Sequence, residues 1–303
     1  MHNNNLEYTS TRRHGTKTPY STSEYRPELE ATDYCNGNLT TVYLNLMGML
    51  RWMIELGRVD ILHEASLLSQ YMALPRLGHL QQALNIFKYI KANLNQGWLI
   101  FDPLDYDIDW KPMRPNEVSP IERAVAMKEL YQEAEDPIPY RMPKPLGNEV
   151  NINCFVDSDH AGNRVTRRSH SGIMIYVNMA PIIWYSKKQN TVESSTFGAE
   201  LIALKIAIEL IESLRYKLRM MGIPLAGPAR VMCDNQSVVI SGSFPESTLK
   251  KKHCSIAYHR VREAVAAGKL LIYYERTASN IADLFTKVLT ANKRFPLIQS
   301  VLS

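Results

Sequence analysis

From Asn151 onward the hydrophobic period of the chain changes in a set order, and that order restricts the fold more than any other feature. "INCFVDSD", "SGIMIYVNM" and "PIIWYSKK" are short apolar runs with hairpin-length connections, and they read as three consecutive strands. A long helix follows from about Ser195 to Met221, where Leu201, Leu204, Ile208, Ile211, Leu214 and Leu218 recur every three to four residues and Gly222 supplies the stop. "ARVMCDN" reads as a fourth strand, "HCSIAYHRVREAVAAG" as a helix, "KLLIYYERT" as a fifth strand and "SNIADLFTKVL" as a closing helix. The predicted order is βββ-α-β-α-β-α, an α/β arrangement of a sheet with helices packed on it.

Upstream the patterning is different. Residues 1–38 are rich in Thr, Ser, Tyr and Asn, are interrupted by Pro19 and Pro27, and are expected to be disordered or extended. Residues 39–100 carry helical spacing, with Leu46, Met49, Leu50 and Met53, then Leu67, Leu68 and Tyr71, then Leu80, Leu84, Phe87 and Ile90. Gly57 with Asp60 and Pro75 with Gly78 divide this stretch into about three helices. Residues 101–147 hold many prolines around one helix, "SPIERAVAMKELY", in which Ser119 can cap, Pro120 takes the first position and Glu122 closes a capping box. That stretch is expected to be a linker, with the α/β domain at 148–292 folding on its own and a tail at 293–303.

Composition sets outer limits. The 303 residues can bury at least one sizeable core, and a formal charge of +5 permits a polyanionic partner without requiring one. Cys35, Cys154, Cys233 and Cys254 form no C-x-x-C pair and no zinc-ligand spacing with the histidines, so reduced intracellular thiols are expected. No apolar run reaches the ~18 residues of a membrane span, and the polar start lacks a signal-peptide core. The expectation is an intracellular protein, cytoplasmic or nuclear, neither secreted nor membrane-bound.

Four acidic residues occupy comparable places. Asp157 lies in the first strand, Glu200 in the first turns of the long helix, Asp234 at the end of the fourth strand and Asp283 in the closing helix. Singly, each has an ordinary explanation: Asp157 an exposed end or a salt bridge, Glu200 a helix-start acid, Asp234 a helix cap, Asp283 a solvated flank. Together, strand ends and helix starts from distant sequence can meet at a switch point of an open sheet. Four carboxylates meeting there repel unless cations bind, and oxygen ligands suit Mg²⁺ or Mn²⁺.

The motifs then become specific. "FVDSDHAGN", "RRSHSGIMIYVNMAPIIWYSKKQNTVESSTFGAELIAL", "VMCDNQSVV", "KKKHCSIAYHRVREAV" and "ASNIADLFTKVL" resemble successive motifs of the ribonuclease H domain of Ty1/copia-type retrotransposon Pol polyproteins. The resemblance implies a ribonuclease H-like fold, a five-stranded mixed sheet with flanking helices. It also implies that Asp157, Glu200, Asp234 and Asp283 are the catalytic metal ligands, holding two Mg²⁺ (or Mn²⁺) ions. Asp159 and His160 match no ligand role in that family and are expected to be loop residues, and "FTKVL" lacks the proline often found after the lysine. The helical stretch "YLNLMGMLRWMIELGRVDILHEASLLSQYMALPRLGHLQQALNIFKYIK" is similar to the segment that follows the reverse transcriptase palm in the same polyproteins. No "Y-x-D-D" pair occurs, so a complete reverse transcriptase is excluded, and the chain reads as a C-terminal portion of such a polyprotein whose partner would be the missing upstream polymerase.

The substrate implied by the resemblance is a polyanionic RNA–DNA hybrid, gripped through phosphates and 2′-hydroxyls. Arg164, Arg167 and Arg168 follow the first strand, Lys187 and Lys188 end the third, and Lys250, Lys251 and Lys252 precede a helix; these are the candidate nucleic-acid contacts. Trp184 and Tyr185 are expected to pack a core, and His253 and His259 a helix face. The reading that follows is hydrolysis of the RNA strand of a hybrid, leaving a 3′-hydroxyl and a 5′-phosphate. The alternative is a catalytically silent nucleic-acid-binding remnant that keeps the fold.

Overall fold

The computed structural model describes residues 16–94, 99–101, 104, 105, 108, 110–249 and 251–302. Residues 1–15 of the expected N-terminal extension, and Lys250, lie outside the described residues.

Five strands, β1 (Ile152–Ser158), β2 (His170–Val177), β3 (Ala180–Lys188), β4 (Ala229–Cys233) and β5 (Leu270–Tyr274), form one sheet in the order β3-β2-β1-β4-β5. The first three pair antiparallel as a meander, and β4 and β5 add to β1 in parallel. This mixed sheet with helices against both faces is a ribonuclease H-like fold. The alternation along β1 divides the two faces. Ile152, Cys154 and Val156 enter one core with the helices α5 (Thr196–Met220) and α7 (Ser255–Ala266), while Phe155 points into a second core on the opposite face. Burial on both faces explains why β1 reads as a continuous apolar run.

Upstream, α1 (Gly37–Glu55), α2 (Leu62–Ser69) and α3 (Leu77–Ala92) bury their helical stripes against one another. Within the N-terminal extension, Tyr20 is fully buried in this bundle and donates its hydroxyl to the Glu64 carbonyl at 3.1 Å. The extension's expected looseness therefore does not hold for its described part. The bundle rests on the sheet: Ser66 Oγ donates to the Ser186 carbonyl at 2.8 Å and lies 3.2 Å from His170 Nε2. Trp184 packs between them, as a core residue.

Four departures from the sequence expectation matter. The proline-rich stretch carries α4 (Pro120–Leu130), closed by the predicted Ser119–Glu122 box, and Met127 joins the core that α5 and α7 share. The closing segment is a five-residue 3₁₀ turn, Ile281–Phe285, rather than a full helix. The expected tail instead forms α8 (Ala291–Gln299), despite Pro296 inside it, and buries Leu297, Ile298, Val301 and Leu302. Arg294 of α8 reaches the bundle and pairs with Glu64 at 2.7 Å, both side chains almost wholly buried. A short helix absent from the predicted order, α6 (Gln236–Ser243), follows β4. No helix among the described residues is long and apolar enough to cross a membrane.

Candidate active site

Parallel strands β1 and β4 run side by side with Val156 opposite Cys233, so the next residue of each, Asp157 and Asp234, emerges at the same edge of the sheet. Asp157 has the parity of Phe155 and faces the 3₁₀ turn. That turn is pinned there by Asn280, whose side-chain oxygen accepts from Ala282 N at 3.1 Å while its amide donates to the Val156 carbonyl at 3.0 Å. Gly172, the β2 partner of Asp157, makes the close approach possible: a Cβ there would meet the Ala282 carbonyl oxygen at 2.7 Å and Phe285 Cβ at 2.9 Å. The result brings carboxylate oxygens of Asp157, Asp234 and Asp283 within 4.8 Å of one another.

Glu200 approaches from the other face, in the second turn of α5. Ser195 caps that helix by accepting from Gly198 N at 3.2 Å, and Gln189 ties it to the sheet by donating to the Ala199 carbonyl and to Ser171 Oγ, each at 2.9 Å. Asp234 is not the cap of α6; Asn235 is, accepting from Val238 N at 3.3 Å, which leaves the Asp234 carboxylate to the cluster.

The electrostatics are those of crowded anions. Burial, then Asp157 and Asp234, push the Glu200 carboxyl well above the ordinary range. Burial and Asp157 raise Asp283 to about 7, and the same two causes raise Asp234. Glu200 Oε2 is buried with no hydrogen-bond partner. An oxygen-only donor set with an orphaned, buried carboxylate oxygen fits hard divalent cations such as Mg²⁺ or Mn²⁺.

Two further residues at the cluster, Thr286 and Lys287, stand within "ASNIADLFTKVL" with no sequence signal that marks them out. Thr286 Oγ1 donates to Asp157, and Lys287 Nζ lies 3.1 Å from Asp157 and 2.6 Å from Asp283. Burial works against the Lys287 ammonium, but those two carboxylates more than offset it and raise its pKa. Asp159, expected to be an ordinary loop residue, is also held: it accepts from His170 N, and burial raises it to about 7.

The basic residues divide. Arg168 and Lys188 line one cleft with Arg26 and Asp159; that cleft shares Thr286 and Lys287 with the carboxylate cluster but includes none of the four carboxylates. Arg164 and Arg167 are exposed on the loop between β1 and β2, and Lys187 is exposed at the end of β3. Lys251 sits with its ammonium 5.5 Å from the Phe197 ring, at the first turn of α5, and Lys252 beside it is exposed. His259 is exposed on α7, with Nδ1 2.7 Å from the Tyr131 hydroxyl, and His253 approaches Glu193.

A ribonuclease H-like sheet with a buried carboxylate cluster at the ends of its central parallel strands is thus the class of protein that fold and site define. No family model matches the chain. It is similar over most of its length to Pol polyproteins of copia-type retrotransposons. The retrovirus-related Pol polyprotein from transposon RE1 of Arabidopsis thaliana is 26% identical over 271 residues, covering 89% of this chain and 15% of the relative. That from transposon TNT 1-94 of Nicotiana tabacum is 31% identical over 147 residues, 48% of this chain and 11% of the relative. The Ty1-JR1 Gag-Pol polyprotein of Saccharomyces cerevisiae is 25% identical over 155 residues, 51% of this chain and 9% of the relative. The chain therefore spans less than a sixth of the length of these relatives. Among solved structures, the N-terminal RNase H domain of rv2228c from Mycobacterium tuberculosis aligns with a TM-score of 0.35 and 15% identity, over 50% of this chain and 99% of that one.

Proposed function

We propose that this chain is a retrotransposon-derived ribonuclease that hydrolyses the RNA strand of RNA–DNA hybrids. The observation that carries the reading is the convergence of Asp157, Asp234 and Asp283 from separate elements, with Glu200 near enough to feel the charges of Asp157 and Asp234 and its Oε2 buried and unpartnered. These four residues would hold two divalent cations. Cations bound there supply Lewis acidity toward water and offset charge on the leaving oxygen of a phosphodiester.

The chain's own residues do the rest. Thr286 and Lys287 orient Asp157 through charge-assisted contacts, and Asn280 and Gly172 seat the turn that carries Asp283. Arg168 and Lys188, in the cleft that shares Thr286 and Lys287 with the carboxylate cluster, would contact backbone phosphates. Lys251 and Lys252 extend the positive surface at the first turn of α5. Such contacts bind without reading sequence and weaken with salt. The exposed Met49 and Trp52 of α1, with Leu56 just past its end, offer an apolar face that an upstream polymerase portion would cover.

One feature favours the alternative of a silent hybrid-binding remnant: the Lys287 ammonium already neutralises part of the carboxylate charge. Cleavage and binding of a labelled hybrid, measured side by side with Mg²⁺ for the wild type and Asp157→Asn, separate the two. Asp157→Asn removes a charge and an anionic oxygen, so hydrolysis should largely cease while salt-dependent binding survives. A wild type that binds hybrid but never cuts it across Mg²⁺ and Mn²⁺ titrations makes the remnant the better account.

A further inference from the structure

A second cluster of metal-ligating side chains stands apart from the four carboxylates. Glu193 lies in the loop after β3, and His253 and Cys254 lie in the 3₁₀ turn that leads into α7. One ligand atom from each, a carboxylate oxygen, an imidazole nitrogen and Sγ, lie within 4.8 Å of one another. His253 Nε2 and Glu193 Oε2 are 3.7 Å apart. Tetrahedral zinc, with bonds of 2.0–2.3 Å, sets its ligand atoms about 3.3–3.6 Å apart, so one edge of such a site is nearly formed and the others close with a small side-chain adjustment.

Three independent details point to a ligand. The Glu193 side chain is nine-tenths buried, 10% exposed, and its Oε2 has no hydrogen-bond partner. Its carboxylate packs directly against Gly198, where a Cβ would stand 2.5 Å from Glu193 Oε2 and displace it from its present place. Cys254 is buried at 6% exposure while the His253 side chain is 52% exposed, which gives an ion a route in from solvent.

We propose that Glu193, His253 and Cys254 form a binding site for a thiophilic divalent cation of the Zn²⁺ class, with solvent completing its shell. The thiol and imidazole select against Mg²⁺, which takes oxygen ligands, so the two sites would be filled by different metals. Burial and Glu193 raise the Cys254 thiol pKa and Lys251 opposes them, so the free site holds the proton. On binding, the S–H bond breaks, an S–metal bond forms and the proton leaves to solvent. The ion ties the loop after β3 to the start of α7, beside the first turn of the helix that carries Glu200.

The test uses the full reduced chain with Co²⁺ as probe, in excess Mg²⁺ to occupy the carboxylate cluster. Thiolate-bound Co²⁺ gives a near-ultraviolet charge-transfer band that carboxylate-bound Co²⁺ lacks. The expected result is a saturable band, reversed by Zn²⁺, abolished in Cys254→Ser, and shifted to higher Co²⁺ in Glu193→Gln and His253→Ala. It should be unchanged in Cys35→Ser, since Cys35 is the other free thiol that is not fully buried. No band in the wild type, or a band that persists in Cys254→Ser, overturns the proposal. If Cys254→Ser fails to fold, the two milder variants decide: titrations identical to the wild type in both overturn it as well.

Discussion

Gly172→Ala tests whether the site depends on a single missing methyl group. The added Cβ would stand 2.7 Å from both the Ala282 carbonyl oxygen and Thr286 Cγ2, and 2.9 Å from Phe285 Cβ. Carbon contacts are optimal from about 3.5 Å, so the turn has to retreat by ~0.8 Å, and the nearest obstacle is backbone that no rotamer change can clear. Overpacking of this kind costs ~1–3 kcal/mol. The functional loss should exceed the stability loss. The retreating turn carries Asp283, Thr286 and Lys287 away from Asp157, and misplacement by ~1 Å costs on the order of 100-fold in rate. The assay pairs denaturant melts with Mg²⁺-dependent hybrid cleavage and with the Mg²⁺-induced rise in melting temperature, which reads the site without turnover. Gly48→Ala is the control: it lies inside α1 with nothing within 4 Å of the new Cβ, and should stabilise by ~1 kcal/mol. A Gly172→Ala protein with wild-type melting, cleavage and Mg²⁺ response would refute the account of how the turn is seated.

Other consequences can be measured directly. Arg294→Met leaves the Glu64 carboxylate buried without its partner and should cost ~3–5 kcal/mol in a denaturant melt; a loss under ~1 kcal/mol would mean water reaches Glu64. His170 and His63 stack edge to face, 5.0 Å apart, where the bundle meets the sheet, and burial lowers both pKa values, that of His170 to about 3. Because the folded pKa lies below the unfolded value near 6.5, this contribution is fully present above about pH 6.5 and is lost as pH falls toward about 3. His170→Asn should flatten the acid limb of the stability curve; an unchanged limb would assign the loss elsewhere. A fragment beginning at Gly147 lacks Met127 and Glu64, so it should melt below the full chain even where it folds, and equal melting temperatures would show the upstream packing to be superficial.

Local pattern carried the sheet because each of its signals lies within one element. Short apolar runs placed β1 to β5 to within about three residues at each end, the helical stripe from Leu201 to Leu218 placed α5, and Ser119 with Glu122 placed α4. Each of the four carboxylates has an ordinary explanation taken singly; they stood out as a set at strand ends and helix starts, and as ligands only through the motif resemblance. What tertiary structure alone decided rests on contacts far apart in sequence. The apolar spacing of Ile281, Leu284 and Phe285 suits a helix, yet Asn280 is bonded to the end of β1 and Gly172 admits the backbone closely, so a short 3₁₀ turn wins. Pro296 argues locally against a helix, but burial of Leu297 and Ile298 and the pairing of Arg294 with Glu64 outweigh it. Lys287 reads as one more surface lysine until the fold sets its ammonium between Asp283 and Asp157, the latter 130 positions away in sequence, because the field of that carboxylate pair exists only once the two have met.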